Sequence, residues 1–362
     1  MKRDVRIAII GCGGIAHGKH MPSLKKVKEA KMVAFCDIIR ERAEEAAEKY
    51  GVEGAGVYTD YKEMIEKEKP EVVHVCTPNK SHAEITIYAL EHDCHVMCEK
   101  PMAKTYADAK AMLDAYHKSG KKLTIGYQNR FRTDSTILKR ACEADELGEI
   151  YFAKAHAVRR RAVPTWGVFL NEEEQGGGPL IDIGTHALDI TLWMMDNYKP
   201  VSVKGSVYKK LCKQTETGNA WGDWDTEKYN VEDSAFGYIT MENGATIFLE
   251  SSWALNTLDQ KEARCTLCGT KAGADMNDNM LRINKAEYGK LSEKSYDLSA
   301  GGVDFYEGVS NSPDAIEAAQ WIHAIIDDGE PLVKPEQAIV VTRILEAIYE
   351  SAKTGKEIIF ND

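Results

Sequence analysis

The chain has 362 residues, 43% of them apolar and 28% charged, enough for about two domains with full cores and too balanced for long disordered tracts. Its 46 Lys+Arg against 57 Asp+Glu leave a net charge of −11, which works against the phosphate attraction that nucleic-acid binders need and against docking on anionic membranes. No apolar run approaches the ~20 residues of a bilayer span, and Met1-Lys2-Arg3-Asp4 leads straight into an alternating segment, so neither a membrane partner nor a cleaved leader is expected.

Short apolar runs alternate with amphipathic ones over the first part of the chain. Val5–Ile10, Met32–Cys36, Val72–Cys76, His95–Cys98 and Leu123–Ile125 read as strands. Glu41–Tyr50, Tyr61–Glu68, Ser81–His92 and Tyr106–Ser119 carry helical spacing. Thr105 and Asp108 form a helix-start pattern, a hydroxyl cap followed by an acid in the first turn. Strand–helix alternation at this pitch predicts parallel βαβ units with right-handed crossovers, a doubly wound sheet over residues 1–128.

The rhythm changes in residues 129–362. A helix near Asp134–Glu146 leads to a strand at Ile150–Val158 and then a Gly- and Glu-rich loop. Val231–Met241 and Ala245–Trp253 flank Glu242-Asn243-Gly244, a strong hairpin signal. Val201–Leu211 and Arg264–Cys268 add strands, and helices near Pro313–Asp327 and Pro335–Ala352 follow. The expected fold class is α/β, with a second α+β domain whose mostly antiparallel sheet is covered on one face and open on the other. Lys213–Tyr229 reads as a long surface excursion. The nine cysteines are odd in number and scattered. Cys265-x-x-Cys268 lacks a second pair or nearby histidines, so buried thiols, no metal, and a reducing cytoplasmic setting are expected.

Gly11-Cys12-Gly13-Gly14-Ile15-Ala16 follows the first strand and opens a helix. Glycines there permit a tight turn and close backbone approach, and a helix N-terminus offers amides to a pyrophosphate. Asp37 ends the second strand, 21 residues beyond Ala16, placed to accept from ribose hydroxyls and to repel a 2′-phosphate; that favours NAD over NADP. Arg40 and Arg42 nearby soften this preference or serve a solvated helix face. Thr77-Pro78-Asn79, with His82 beyond, follows the third strand and borders the same ligand edge, although Asn79 or Ser81 equally suits a helix cap. Glu99-Lys100-Pro101 follows the fourth strand, where Lys100 projects toward the cleft edge at which a nicotinamide would lie or, on these residues alone, is an exposed turn lysine; the residues leave the Lys100–Pro101 bond open between cis and trans.

The G-x-G-x-x-A turn, Thr77-Pro78-Asn79-x-x-His82, Glu99-Lys100-Pro101 and Asp182-x-x-x-His186 together resemble the Gfo/Idh/MocA oxidoreductases. The resemblance spans essentially the whole chain. It implies a nucleotide-binding domain followed by an open-faced α/β domain that commonly mediates oligomerisation, and NAD(P)-dependent redox chemistry on sugars, glycosides or inositols. It implies cofactor contacts from Gly11, Gly13, Gly14, Ile15, Ala16, Asp37, Thr77, Pro78, Asn79, His82, Glu99, Lys100 and Gln128.

If a helix begins near Asp182, residues 182 and 186 share one face, and a carboxylate one turn from an imidazole suits a general base near neutral pH. A capping Asp and a core His is the alternative reading of that pair alone. With the resemblance, His186 takes the hydroxyl proton, Asp182 orients it, and Lys100 steadies alkoxide character at the reacting oxygen, with an exchange of roles between Lys100 and His186 left open. Arg159 and Trp166 join Lys100, Asp182 and His186 as substrate contacts, Trp166 as a stacking platform or, alternatively, core packing. The run 171–178 reads as a mobile lid or as solvated charge. The expected reaction is oxidation of a secondary hydroxyl, C3 of a glucosyl group. Inositol 2-oxidation, a redox glycosidase and a non-catalytic NAD sensor are the alternatives. The expected partners are a sugar or glycoside and further copies of the chain through the second-domain sheet.

Overall fold

The computed structural model describes residues 3–277, 280–298 and 312–361. They form two compact units, residues 3–131 with 312–339, and the remainder.

The first unit is built on β1 (Val5–Ile10), a short helix α1 (Met21–Leu24), β2 (Ala30–Cys36), α2 (Arg40–Tyr50), β3 (Gly56–Tyr58), α3 (Tyr61–Glu68), β4 (Val72–Val75), α4 (His82–Glu91), β5 (His95–Cys98), α5 (Tyr106–Ser119) and β6 (Leu123–Ile125). The sheet order is β3-β2-β1-β4-β5-β6, and every pair is parallel. The near-continuous apolar run of β1 reflects a central strand covered on both faces. Thr105 caps α5 by accepting from the Asp108 amide at 3.1 Å, as its sequence pattern predicts. β3 lies outside the expected strands; its three residues are too few to show a period.

The second unit contains α6 (Thr133–Glu143), β7 (Ile150–Val158), α7 (Glu172–Gln175), α8 (Thr185–Met195), β8 (Pro200–Tyr208), β9 (Ser234–Met241), β10 (Thr246–Ser252), β11 (Lys261–Gly269), β12 (Gly273–Asn277), β13 (Met280–Glu287) and β14 (Lys290–Tyr296). Helix α9 (Pro313–Ile326) belongs to the first unit, α10 (Pro335–Thr354) starts there and continues in the second, and β15 (Ile358–Ile359) closes the second sheet. That sheet has nine strands in the order β14-β13-β12-β11-β7-β10-β9-β8-β15, antiparallel except for the β7/β10 pair. The predicted Asn243-Gly244 hairpin joins β9 to β10, with Gly244 at φ +83°. α8 is buried from Thr185 to Met194, including the polar His186, Asp189 and Thr191, which suits a helix packed into the middle of its unit. Cys265 is buried and Cys268 half-buried, and three residues apart on β11 they point to opposite faces.

The unit boundary differs from the expected break at 128/129, because the chain returns to the first unit after residue 311. Trp321, Ile322 and Ile325 of α9 lie in one core with Val5, Ile7 and Ile9 of β1. Thr124 of β6 donates to the Val333 carbonyl at 2.9 Å, and Arg130 donates to Gln337 at 2.6 Å. Periodicity reveals that α9 is amphipathic; it does not reveal which core the apolar stripe fills.

Candidate active site

In the first unit the glycine turn is shaped by its neighbours. Gly11 sits at φ +88°, and a Cβ there would lie 2.6 Å from the Cys76 carbonyl oxygen, so only glycine fits against the end of β4. A Cβ on Gly13 or Gly14 would meet nothing within 4 Å. The turn is therefore tight underneath and open above, the cradle a pyrophosphate requires. The chain then winds into a wide π-type turn, Ala16–His20, and on into α1. Ala16 is fully buried and Ile15 is exposed.

Asp37 accepts from the Cys12 amide at 2.8 Å and from the Ile39 amide at 2.9 Å. Its carboxylate thus holds the glycine turn in register with the end of β2 while each oxygen keeps a further lone pair for a ribose hydroxyl.

The turns after β4 and β5 are tied together by His82, whose ring nitrogens lie 2.9 Å from the carbonyl oxygens of Thr77 and Pro101. The ring is fully buried, so His82 braces the cofactor edge from beneath and does not present its nitrogens to a ligand. Thr77 accepts from Ser81 at 2.9 Å, Pro78 is exposed, and Asn79 opens a short 3₁₀ turn. The Lys100–Pro101 bond is cis, which resolves the alternative left open by the sequence. The Lys100 amide donates to Glu99 at 3.1 Å.

Glu99 is likewise an internal brace. Its Oε1 lies 2.7 Å from both Lys19 Nζ and His20 Nε2, and Lys19 is also 2.9 Å from Glu317 on α9 and 3.4 Å from Gln128. Burial opposes both charges, but the pairing wins: Glu99 is held well below the ordinary carboxylate range and Lys19 above the ordinary lysine value. The expected cofactor residues thus divide. Gly13, Gly14, Ile15 and Pro78 open to solvent, whereas Ala16, His82 and Glu99 support them from below.

In the second unit Asp182 and His186 occupy one helical stretch that starts earlier than expected. Leu180–Gly184 forms a π-type turn running directly into α8. Such a turn widens the repeat beyond 3.6 residues, so positions four apart stay on one side. Trp253 donates from its indole nitrogen to Asp182 Oδ2 at 3.0 Å. His186 is buried, only 8% exposed.

The end of the run 171–178 is clamped. Glu232 accepts from the amides of Gly178 at 2.8 Å and Leu180 at 3.1 Å and from the Tyr349 hydroxyl at 2.8 Å. Ser251 donates to the Pro179 carbonyl at 2.7 Å. A Cβ on Gly177 would lie 2.0 Å from the Tyr349 oxygen, and one on Gly178 would lie 2.4 Å from the Glu232 carbonyl. These glycines permit close packing. Glu232, Ser251, Trp253 and Tyr349 belong to no motif, since each acts on the turn from a distant stretch of chain.

Arg159 makes a two-pronged pair with Glu262 at 2.6 and 2.5 Å. Burial works against its charge, but Glu262 and, at longer range, Asp182 outweigh it and hold the guanidinium above its ordinary value. Trp166 is 52% exposed, which corrects the core-packing alternative. Among the described residues no cluster of three or more metal-ligating side chains is found, and no helix is long and apolar enough to cross a membrane.

Residues 5–127 match the family model of the Gfo/Idh/MocA oxidoreductases described as an NAD-binding Rossmann fold, and residues 139–359 match that family's C-terminal alpha/beta domain. The chain is 37% identical over 363 aligned residues to the D-glucoside 3-dehydrogenase of Escherichia coli K12, covering 98% of this chain and 97% of that one. It is 32% identical to the myo-inositol 2-dehydrogenase of Thermotoga maritima, over 61% and 63% of the two chains. Its fold matches an oxidoreductase domain protein from Kribbella flavida (TM-score 0.86, 22% identity, full coverage of both) and a levoglucosan dehydrogenase solved with NADH and levoglucosan (TM-score 0.83, 20% identity, 99% and 100% coverage). The glycine cradle, Asp37 and the clamped Asp182–His186 turn are therefore parts of an NAD-binding enzyme, and the chain belongs to the Gfo/Idh/MocA oxidoreductase family.

Proposed function

We propose that this enzyme oxidises the C3 hydroxyl of a glucosyl group in a glycoside. The observation that carries the reading is the full-length 37% identity to D-glucoside 3-dehydrogenase; the match to an inositol dehydrogenase spans only 61% of the chain. NAD supplies the hydride acceptor when bound. His186 takes the hydroxyl proton, Asp182 fixes the ring, and Lys100 hydrogen-bonds the reacting oxygen as alkoxide character develops. A preorganised base is worth most when it cannot relax, and the clamp by Glu232, Ser251 and Trp253 supports that role. Carbonyl reduction uses the same groups in reverse.

Asp37 underlies a preference for NAD over NADP in this reading. The assembly is a homo-oligomer formed through the open face of the nine-stranded sheet. Ile247 and Leu249 are fully buried while Phe248 between them is 46% exposed, with Tyr238 beside it at a ring distance of 5.7 Å. An aromatic patch of this kind is ordinarily covered by another subunit. The thiols fit a reducing, cytoplasmic setting, since seven of the nine are buried and none is paired.

The test is a substrate screen with NAD over glucosides, free sugars and inositols, with mass spectrometry and NMR to locate the new carbonyl. A 3-keto glucoside is the expected product; faster turnover of an inositol would replace the reading.

A further inference from the structure

We propose that Trp166 and Trp221, with Arg159 beside them, form a second subsite in the C-terminal unit that takes a flat apolar face, either an aryl aglycone or a second pyranose ring, attached to the sugar being oxidised. The proposal rests on the glycoside reading above and names what the substrate carries beyond the reacting ring.

A chain of aromatic rings runs through this unit. Trp224 meets Tyr229 at 5.9 Å, Tyr229 meets Trp253 at 6.5 Å, Trp253 meets Phe169 at 6.4 Å, Phe169 meets Trp166 at 6.0 Å, and Trp166 meets Trp221 at 5.0 Å. Trp224, Tyr229 and Trp253 are buried, Trp253 completely, and Phe169 is half-buried, whereas the last two are 52% and 44% exposed. Two adjoining indoles left in water are costly unless something covers them. Trp253, within this chain, donates to Asp182, so Trp166 is reached from the proposed catalytic carboxylate in two ring-to-ring steps and Trp221 in three.

The placement of Trp221 is built. Thr165 donates to the Trp221 carbonyl at 2.9 Å, the Ala220 amide donates to the Arg161 carbonyl at 3.0 Å, and Asn219 exchanges hydrogen bonds of 2.7 and 3.0 Å with the backbone of Val163. The excursion carrying Trp221 is thereby stitched to the segment carrying Arg159 and Trp166. The Arg159 guanidinium stacks on the Trp221 ring at 5.2 Å, which fixes the ring from one side.

The chemistry of the ligand follows from what is already satisfied. Arg159 spends its charge on Glu262 in two short contacts, so the subsite does not call for a phosphate or carboxylate. What remains on offer is aromatic face, which stacks on aryl groups and on the C–H faces of pyranoses.

Initial rates of the NAD-loaded protein would be compared for phenyl glucoside, cellobiose, methyl glucoside and glucose 6-phosphate. The expected result is a kcat/KM at least ~10-fold higher for phenyl glucoside or cellobiose than for methyl glucoside, carried by KM; which of the two leads identifies the natural source of the flat face. Trp221→Ala is expected to cut that ratio ~10-fold, and Trp221→Phe to retain most of it. A ratio near one in the wild-type protein, a ratio unchanged by Trp221→Ala, or a preference for the phosphate overturns the subsite. If no glucoside is oxidised, the reaction assignment fails by itself. Calorimetric titration with phenyl and methyl glucoside then reads the subsite without turnover: tighter phenyl binding that Trp221→Ala abolishes supports it, and equal binding overturns it.

Discussion

The indole N–H of Trp253, at the end of β10, donates to the carboxylate of Asp182 at 3.0 Å. A fully buried ring thereby fixes the group that is proposed to orient His186. Trp253→Phe keeps an aromatic ring and removes one charge-assisted hydrogen bond, worth about 1.5–3 kcal/mol. We expect kcat to fall between about tenfold and a hundredfold while NAD affinity is unchanged, read by steady-state kinetics beside a fluorescence titration of cofactor. Loss confined to KM would mean that Asp182 binds substrate and does not act through the base.

Asp37 holds the Cys12 amide at 2.8 Å and is the group proposed to meet the adenosine ribose. Asp37→Ala should weaken NAD binding, because the glycine turn loses its brace, and should narrow the NAD:NADP ratio, because the anion is gone. Isothermal titration with both cofactors checks this; tighter NADP than NAD binding by the wild-type protein would contradict the assignment.

Lys100→Ala and His186→Ala should each lower turnover by ~10² or more with NAD still bound, the scale of a lost acid–base group. A His186→Ala enzyme with near-normal turnover at neutral pH would place the base elsewhere.

Phe248 and Tyr238 stand opposite one another on β10 and β9, on the outer face of the sheet. Light scattering at micromolar protein should give a multiple of the 40.3 kDa chain mass, and Phe248→Glu should lower it. A wild-type mass near that of one chain would show this face is covered in some other way.

His95 is a source of acid sensitivity away from the catalytic groups. Burial first, and Lys121 second, push its imidazole down to about 4, and Nδ1 accepts from the Lys122 amide at 2.9 Å. The folded state therefore holds it neutral, while the unfolded chain protonates it near 6.5. Between those values the unfolded state binds more protons, so stability falls as pH drops from ~6.5 to ~4. His95→Asn retains an acceptor for the amide and removes the proton uptake. Its melting temperature should vary less across that window, and identical slopes for the two proteins would assign the sensitivity to other groups.

Local signals determine much of this molecule. Parallel strands buried on both faces read as apolar runs, and a hydroxyl cap or an Asn-Gly turn acts within four residues, so β1, β5, β6, α5 and the β9–β10 hairpin are legible in the sequence by itself. The glycine turn and Asp37 are legible for the same reason, since their work is done by backbone geometry at fixed spacing. The strands β12 to β14 escape such a reading: β12 and β13 alternate, with Ala274, Met276, Leu281 and Ile283 buried, but the apolar stretches are brief and interrupted by polar and charged residues, and β14 at the sheet edge buries little. Only the tertiary structure decides how the site is held. Glu232 reaches Gly178 across 54 positions, Trp253 reaches Asp182 across 71, and Lys19 reaches Glu99 across 80. Such contacts form because burial removes competing water and makes each unsatisfied polar group expensive. The chain return that brings Glu317 to Lys19 has the same origin: an amphipathic helix records that it must be buried, and only the folded chain records against what.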